Sequence, residues 1–225
     1  MKTICFIPVR KGSKGIPGKN LRILGEKPLI CWTLDTVVCS GIADETWVAT
    51  DCDEMQATLQ VRYGANVNIF RRSAWSARDE APTMEVVQEF IEACSFVDTD
   101  RFILLQATSP FTSVDELHRL YKEMLKKEHD SFIACCRLKK FHWSEDGHPL
   151  DYTFQTKPRR QEYKGLLIET GAFYASTVGR IRQTGVLLPG SIKVVETRET
   201  GMIDIDEEKD WRLAEYYIKT YRKEE

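Results

Sequence analysis

Short apolar runs alternate along this chain with stretches whose apolar residues recur every three or four positions. The runs at 4–9, 46–49, 66–70, 102–105 and 132–136 are strand-like. Most are continuous rather than alternating, the pattern of strands covered on both faces. Between them, Leu117, Leu120, Tyr121, Met124 and Leu125 fall on one helical face, and Ser113 and Glu116 are spaced as a capping box at its start. Asp51 and Glu54 have the same spacing and predict a similar cap after the second strand. Val86, Val87, Phe90, Ile91 and Cys94 predict another helix, with Thr83 near its start, and Trp211, Ala214, Tyr217, Ile218 and Tyr221 predict a last one. Strand and helix in alternation imply an α/β fold, doubly wound around a mostly parallel sheet, in one domain over 1–225. Ligands of such sheets bind beyond the carboxyl ends of the strands. The segment at about 139–164 breaks the rhythm: it is polar, aromatic and basic, holds Pro149 and Pro158, and reads as a loop or an extended arm.

Composition narrows the function classes. With 225 residues, 42% hydrophobic and 29% charged, the chain is that of a globular protein rather than a disordered one. Its 32 Lys and Arg nearly balance 34 Asp and Glu, so neither a general nucleic-acid binder nor a membrane-surface binder is expected. No apolar run approaches the roughly 20 residues that span a bilayer, and the first run reads as a buried strand rather than a signal peptide. Seven cysteines without a C-x-x-C pair and four scattered histidines imply reduced structural thiols, a cytoplasmic location and no zinc site. The charge balance is nevertheless segregated. Residues 1–22 carry six Lys or Arg and no acid, whereas 204–210 carry five acids and one lysine.

The basic end is PVRKGSKGIPGKN at 8–20, directly after the first strand. Its glycines let backbone amides approach a ligand, and Arg10, Lys14 and Lys19 supply positive charge, which suits phosphates. It is neither a Walker A loop nor G-x-G-x-x-G, and its proline and lysine content predicts an extended loop over a triphosphate rather than one that opens a helix. At the acidic end, Asp204 and Asp206 alternate with apolar residues, and in an extended chain both carboxylates face one side. That suits Mg²⁺ shared with substrate phosphates; capping of the next helix by Asp206 is the other reading. Arg159 and Arg160 are either charge-stabilising guanidinium groups or a basic surface loop. Arg71 and Arg72 are open in the same way, the alternative being a strand-end arginine paired with a carboxylate. Gln106, at the end of a buried strand, either binds a sugar or base or satisfies backbone groups.

Together these stretches resemble the acylneuraminate cytidylyltransferases, the CMP-sialic acid synthetases, over nearly the whole chain. The family loop reads approximately A-R-x-G-S-K-G-I-P-x-K-N, matched at 9–20. LQATSP at 105–110 and IDID at 203–206 also look like family motifs, and FHWSE at 141–145 and PRRQ at 158–161 look like the animal enzymes. The resemblance implies a Rossmann-like nucleotidyltransferase that makes a CMP-nonulosonic acid, of the NeuAc or KDN type, and pyrophosphate from CTP and the free sugar with Mg²⁺. It places Arg10, Ser13, Lys14, Lys19, Asn20, Arg72, Ala81 and Thr83 around the nucleotide, with only the backbone of Ala81 available. Gln106 would contact the sugar. Arg160, Gln161 and Lys14 would serve the reaction centre, and Asp204 and Asp206 the metal, with Asp204 also helping the sugar hydroxyl lose its proton. The bacterial members' Arg-Pro-Asn-Gly is absent, since Ile168 stands at the arginine's position, so the sugar carboxylate needs another partner. A homodimer or a tetramer follows, with 139–164 as the dimerisation arm or its neighbour. The alternatives are a synthetase for KDO, legionaminic or pseudaminic acid, one that uses GTP, and a catalytically silent nucleotide-binding module.

Overall fold

The structure, a computed structural model, describes residues 1–12 and 15–221. Ser13 and Lys14, both expected at the nucleotide, lie outside the described residues. The five expected strands are all present: β1 Thr3–Pro8, β4 Glu45–Thr50, β5 Asn68–Arg71, β6 Arg101–Leu105 and β7 Ser131–Leu138. Asn66 belongs to a 3₁₀ turn at Gly64–Asn66 rather than to β5. Two long strands were not expected, β8 Leu166–Thr177 and β9 Ile192–Thr197, nor was a small hairpin of β2 Ile23–Leu24 and β3 Lys27–Pro28. The seven long strands form one sheet in the order β5-β4-β1-β6-β8-β7-β9. Every pairing in it is parallel except those of β8 with β6 and β7.

Helices cover both faces. On one lie α1 Leu29–Ser40, α2 Asp53–Tyr63 and α4 Val114–Lys126, packed through Ile30, Leu34, Met55, Leu59, Leu117 and Leu120. On the other lie α3 Thr83–Ala93 and α5 Val178–Thr184. There Phe90 stacks on Phe6 at 4.5 Å and meets Phe70 edge-on at 5.2 Å. The last helix, α6 Glu208–Tyr221, closes a third small core of Ile16, Leu24, Leu29, Trp32, Ile205, Trp211 and Ala214. That core joins the basic loop near the start of the chain to the acidic stretch near its end.

Local chemistry sets several boundaries. Ser113 Oγ accepts from Glu116 N, and Glu116 returns a bond to Ser113 N, the expected capping box. The buried Glu116 also accepts from Arg198 N at 2.8 Å, which ties α4 to the segment after β9. Ser113→Ala is expected to cost about 1 kcal/mol, read as a lowered urea midpoint at unchanged slope. The matching cap at Asp51 and Glu54 is a correction. Helix α2 starts after Cys52 without a side-chain cap, because Asp51 Oδ1 instead accepts Lys11 N of the basic loop at 2.7 Å. Asp206 is not the cap of α6 either. Asp210 reaches back to accept from Asp206 N and Glu207 N, leaving the Asp206 carboxylate to Lys19.

The irregular segment joins β7 to β8. It holds an isolated bridge between Trp143 and Pro149 and a knot of rings in which Phe141 contacts Tyr152 at 5.0 Å and Tyr163 at 4.7 Å. Asp151 fixes this knot by accepting from both His142 N and His142 Nδ1. Burial pushes its carboxyl up, but the bonds from His142 N and His142 Nδ1 outweigh that and hold it below the usual range. Lys157 sits over the Phe141 and Tyr152 rings, so the basic turn that follows leaves from an ordered base.

Candidate active site

Strand β1 sits where the chain's course across the sheet reverses, with β4 and β5 on one side and β6 on the other. A cavity of about 460 Å³ opens beyond the carboxyl ends of these strands, where doubly wound sheets hold ligands. Arg10, Lys19, Asn20, Arg72, Ala81, Thr83, Gln106 and Asp206 all line it.

The basic loop is anchored at both ends. Val9 N still bonds Ala49 O at 2.9 Å, so the chain leaves β1 in register. Ile16 is buried in the third core, and residues 17–21 form a turn, not a helix, closed by Leu21 N on Gly18 O. At Gly15 the loop passes hard against the acidic stretch. A Cβ built on Gly15 would stand 2.0 Å from Asp206 O. Only glycine allows that approach, because both surfaces are backbone and neither can turn aside. Lys19, only 8% exposed, crosses the same contact and donates to Ile205 O at 2.7 Å and Asp206 Oδ1 at 2.8 Å. Arg22 adds an outer clamp, pairing with Glu208 and lying 4.2 Å over the Trp211 ring.

Arg10 donates to Asp79 Oδ1 and Arg78 O across the cavity mouth. Asp79 is about half exposed, so this pair is worth no more than about 1 kcal/mol. A phosphate can displace it at small cost. The two arginines at the end of β5, Arg71 as its last residue and Arg72 just after it, separate cleanly. Arg71 turns outward to an exposed pair with Asp53, while Arg72 is buried in the cavity wall. Arg72 donates to Ser76 O and leaves Nε without a partner. Burial pushes its guanidinium pKa down, opposed by Asp51. Asn20 Oδ1 is a second buried atom with no partner in this wall. Thr83 opens α3, and the Ala81 amide is spent on Arg78 O.

Gln106 follows β6 directly. Its amide bonds Ala172 O at 3.1 Å, and its side-chain oxygen accepts from Thr108 Oγ1 at 3.3 Å. Gly171, at φ 73° beside the register shift between β7 and β8, faces this side chain without a Cβ to cover it. Just beyond, Tyr174 donates to Glu169. Burial and that bond push the Tyr174 pKa up, and the Asp204 charge adds to them.

Asp204 is half-buried between the buried Ile205 and the 3₁₀ turn at Glu199–Met202. Its Oδ1 is buried without a hydrogen-bond partner. Burial raises its pKa, the nearby Asp206 adds to this, and Thr108 and Lys19 oppose it. Among the described residues, no group of three or more His, Cys, Asp or Glu gathers as a metal-binding set. Two neighbouring carboxylates, one with an unused buried oxygen, fit Mg²⁺, which takes one or two protein carboxylates and completes its shell with phosphates and water.

Arg160 and Gln161 lie elsewhere, on the exposed turn of the β7–β8 segment and outside the cavity wall. Thr108, Asp79, Glu169 and Tyr174 are neighbours that residue pattern did not single out. Thr108 lay inside a motif already noted and Glu169 inside the E-x-G pattern at 169–171 that resembles the animal enzymes, whereas Asp79 becomes visible only through its contact with Arg10.

The cytidylyltransferase family profile matches residues 4–200. N-acylneuraminate cytidylyltransferase A of Danio rerio is 32% identical over 220 residues, covering 95% of this chain and 50% of the relative. The chain thus spans about half the length of that relative. Pseudaminic acid cytidylyltransferase of Campylobacter jejuni is 30% identical over 230 residues, covering 97% of each. Among solved structures, a CMP:2-keto-3-deoxy-manno-octonic acid synthetase complexed with CTP superposes with a TM-score of 0.72 at 20% identity, over 97% of this chain and 99% of that one. The chain belongs to the cytidylyltransferase family, and its sheet is the Rossmann-like sheet of nucleotidyltransferases.

Proposed function

We propose that the chain is the catalytic unit of a CMP-nonulosonic acid synthetase, joining CTP to a free acidic 2-keto sugar with release of pyrophosphate. One observation carries this assignment: the Gly15 contact brings the basic loop and the acidic stretch together, with Asp206 in the lining of the same cavity as Arg10 and Lys19 and Asp204 two residues away. A triphosphate needs the first, and the cation that accompanies it needs the second.

The difficulty of the reaction is charge, since an anionic sugar must approach an anionic nucleotide. Arg10 and Lys19 bind the phosphates, Lys14 adds charge from the same loop, and the backbone of Gly12 and Gly15, free of side chains, lets them approach closely. Arg72 and Asn20, each with a buried unused polar atom, take the nucleoside end. Gln106, left uncovered by Gly171, takes the sugar. Mg²⁺, held by Asp204 and Asp206, would neutralise charge on the phosphates. Asp204 accepts the proton of the anomeric hydroxyl, a role suited to a carboxyl whose proton affinity burial has raised.

Arg160 and Gln161 belong to the reaction centre in this scheme, yet they stand away from the cavity of their own chain. We assign them to the cavity of a second subunit in a homodimer, carried there by the ordered β7–β8 segment. Arg160→Ala is expected to lower kcat about a hundredfold or more with little change in CTP affinity. Mixing that variant with Asp204→Asn then distinguishes action in cis from action in trans. Dimers with one chain of each kind hold one intact site, so about a quarter of wild-type activity should return. No recovery on mixing freely exchanging subunits would place Arg160 in its own chain's site.

Pyrophosphate release is expected from CTP with at least one of NeuAc, KDN, legionaminic and pseudaminic acid. KDO is the eight-carbon control and GTP the nucleotide control. No release with any acid would leave a silent nucleotide-binding module, which the intact loop and both aspartates argue against. Seven free cysteines, five of them buried, suit a reducing, cytoplasmic setting.

A further inference from the structure

The opposite end of the sheet carries a second cavity of about 280 Å³, walled by β6, β7, β8 and the chain leaving α4. Arg101, the first residue of β6, is part of this wall and only 8% exposed. Its guanidinium donates to Thr3 Oγ1 at a long 3.5 Å and lies 5.4 Å from the Tyr121 ring. Neither contact supplies a counter-charge. The two carboxylates in the wall are engaged by other arginines. Asp130 pairs with Arg180 and accepts from Ser191 N at 2.8 Å, and Asp98 pairs with Arg182. Lys127, held at φ 58° at the end of α4, and His129 stand in the same wall.

One long bond leaves most of the five guanidinium donors without a protein partner, in the wall of the cavity. An oxyanion that enters can engage them, because a guanidinium fork matches carboxylate and phosphate geometry. We propose that this cavity binds the carboxylate or phosphate group of a small soluble molecule, with Arg101 as principal ligand and Lys127 as a second cation. The site is separate from the catalytic cavity and leaves it free. Strand β6 runs between them, from Arg101 to Leu105, with Gln106 next in the catalytic wall.

The test uses methyl-labelled methionine, because Met124 lines this cavity and Met55 lines the outer side of the basic loop. The intact chain is titrated with inorganic phosphate and, separately, with acetate. The Met124 methyl resonance is expected to move saturably with one or both, and the stronger response identifies the group. Arg101→Gln should weaken that response about tenfold or more, and Lys127→Ala about threefold. Unchanged methyl positions elsewhere report an intact fold, and if Arg101→Gln fails that check, Lys127→Ala decides. A Met124 signal unmoved by either anion, or moved equally in the folded variants, overturns the proposal. No turnover is measured, so this result stands apart from the fate of the synthetase assignment.

Discussion

Asp204→Asn is expected to lower turnover about a thousandfold while making the ligand-free protein more stable at neutral pH. The first effect follows from the proposed roles of Asp204 as proton acceptor and metal ligand. The second follows from the raised pKa of this carboxyl, caused first by burial and then by Asp206. A carboxyl with a raised folded value holds its proton more tightly when folded, so its ionised form burdens the fold. That burden is absent below the ordinary aspartate value near ~3.9 and complete above the raised one. Asparagine never carries it. The melting temperature of the variant should therefore exceed that of the wild type by a few degrees at pH 7 and converge with it in acid. A variant that melts lower at pH 7 would show that Asp204 serves the fold.

Gly15→Ala tests the contact that makes the site. The added methyl would stand 2.0 Å from Asp206 O, backbone against backbone, so the loop or the acidic stretch must move. Either movement pulls Lys19 from Ile205 O and Asp206 and misplaces the phosphate ligands relative to the carboxylates. Displacements of about 1 Å at a reacting centre cost about a hundredfold. A loss of that size in kcat/KM is expected, with CTP affinity measured by titration falling by about tenfold. Gly18→Ala is the control, since nothing lies within 4 Å of a Cβ there, although its φ of 65° adds some strain. Equal losses in the two variants would reduce the Gly15 effect to loop strain.

Much of this arrangement was legible in the sequence because it is local. A buried strand followed by glycines and cations placed the loop, and the Ser113 and Glu116 spacing placed α4. The misses have physical causes. In α1, Leu29, Ile30, Cys31, Trp32, Thr33 and Leu34 are all buried, so no apolar stripe marked it as a helix. Strand β8 is interrupted by Gly171 and begins with the exposed Leu166 and Leu167, so neither a continuous apolar run nor an even alternation survived. At the site, residue type named Arg10, Lys19 and Asp206, but not that Lys19 joins the two ends of the chain. Arg71 and Arg72 were equivalent as letters. Only the backbone direction at the end of β5 sends one outward and the other into the wall.

In the proposed reaction, one cavity joins a cytidine nucleotide to an acidic sugar. Its most direct test is product analysis by mass spectrometry after incubation with CTP, Mg²⁺ and each nonulosonic acid in turn. The expected result is a CMP-sugar formed in equal amount with pyrophosphate, absent when either substrate is omitted. CTP hydrolysed to CMP without a sugar adduct, or no conversion with any acid, would contradict it.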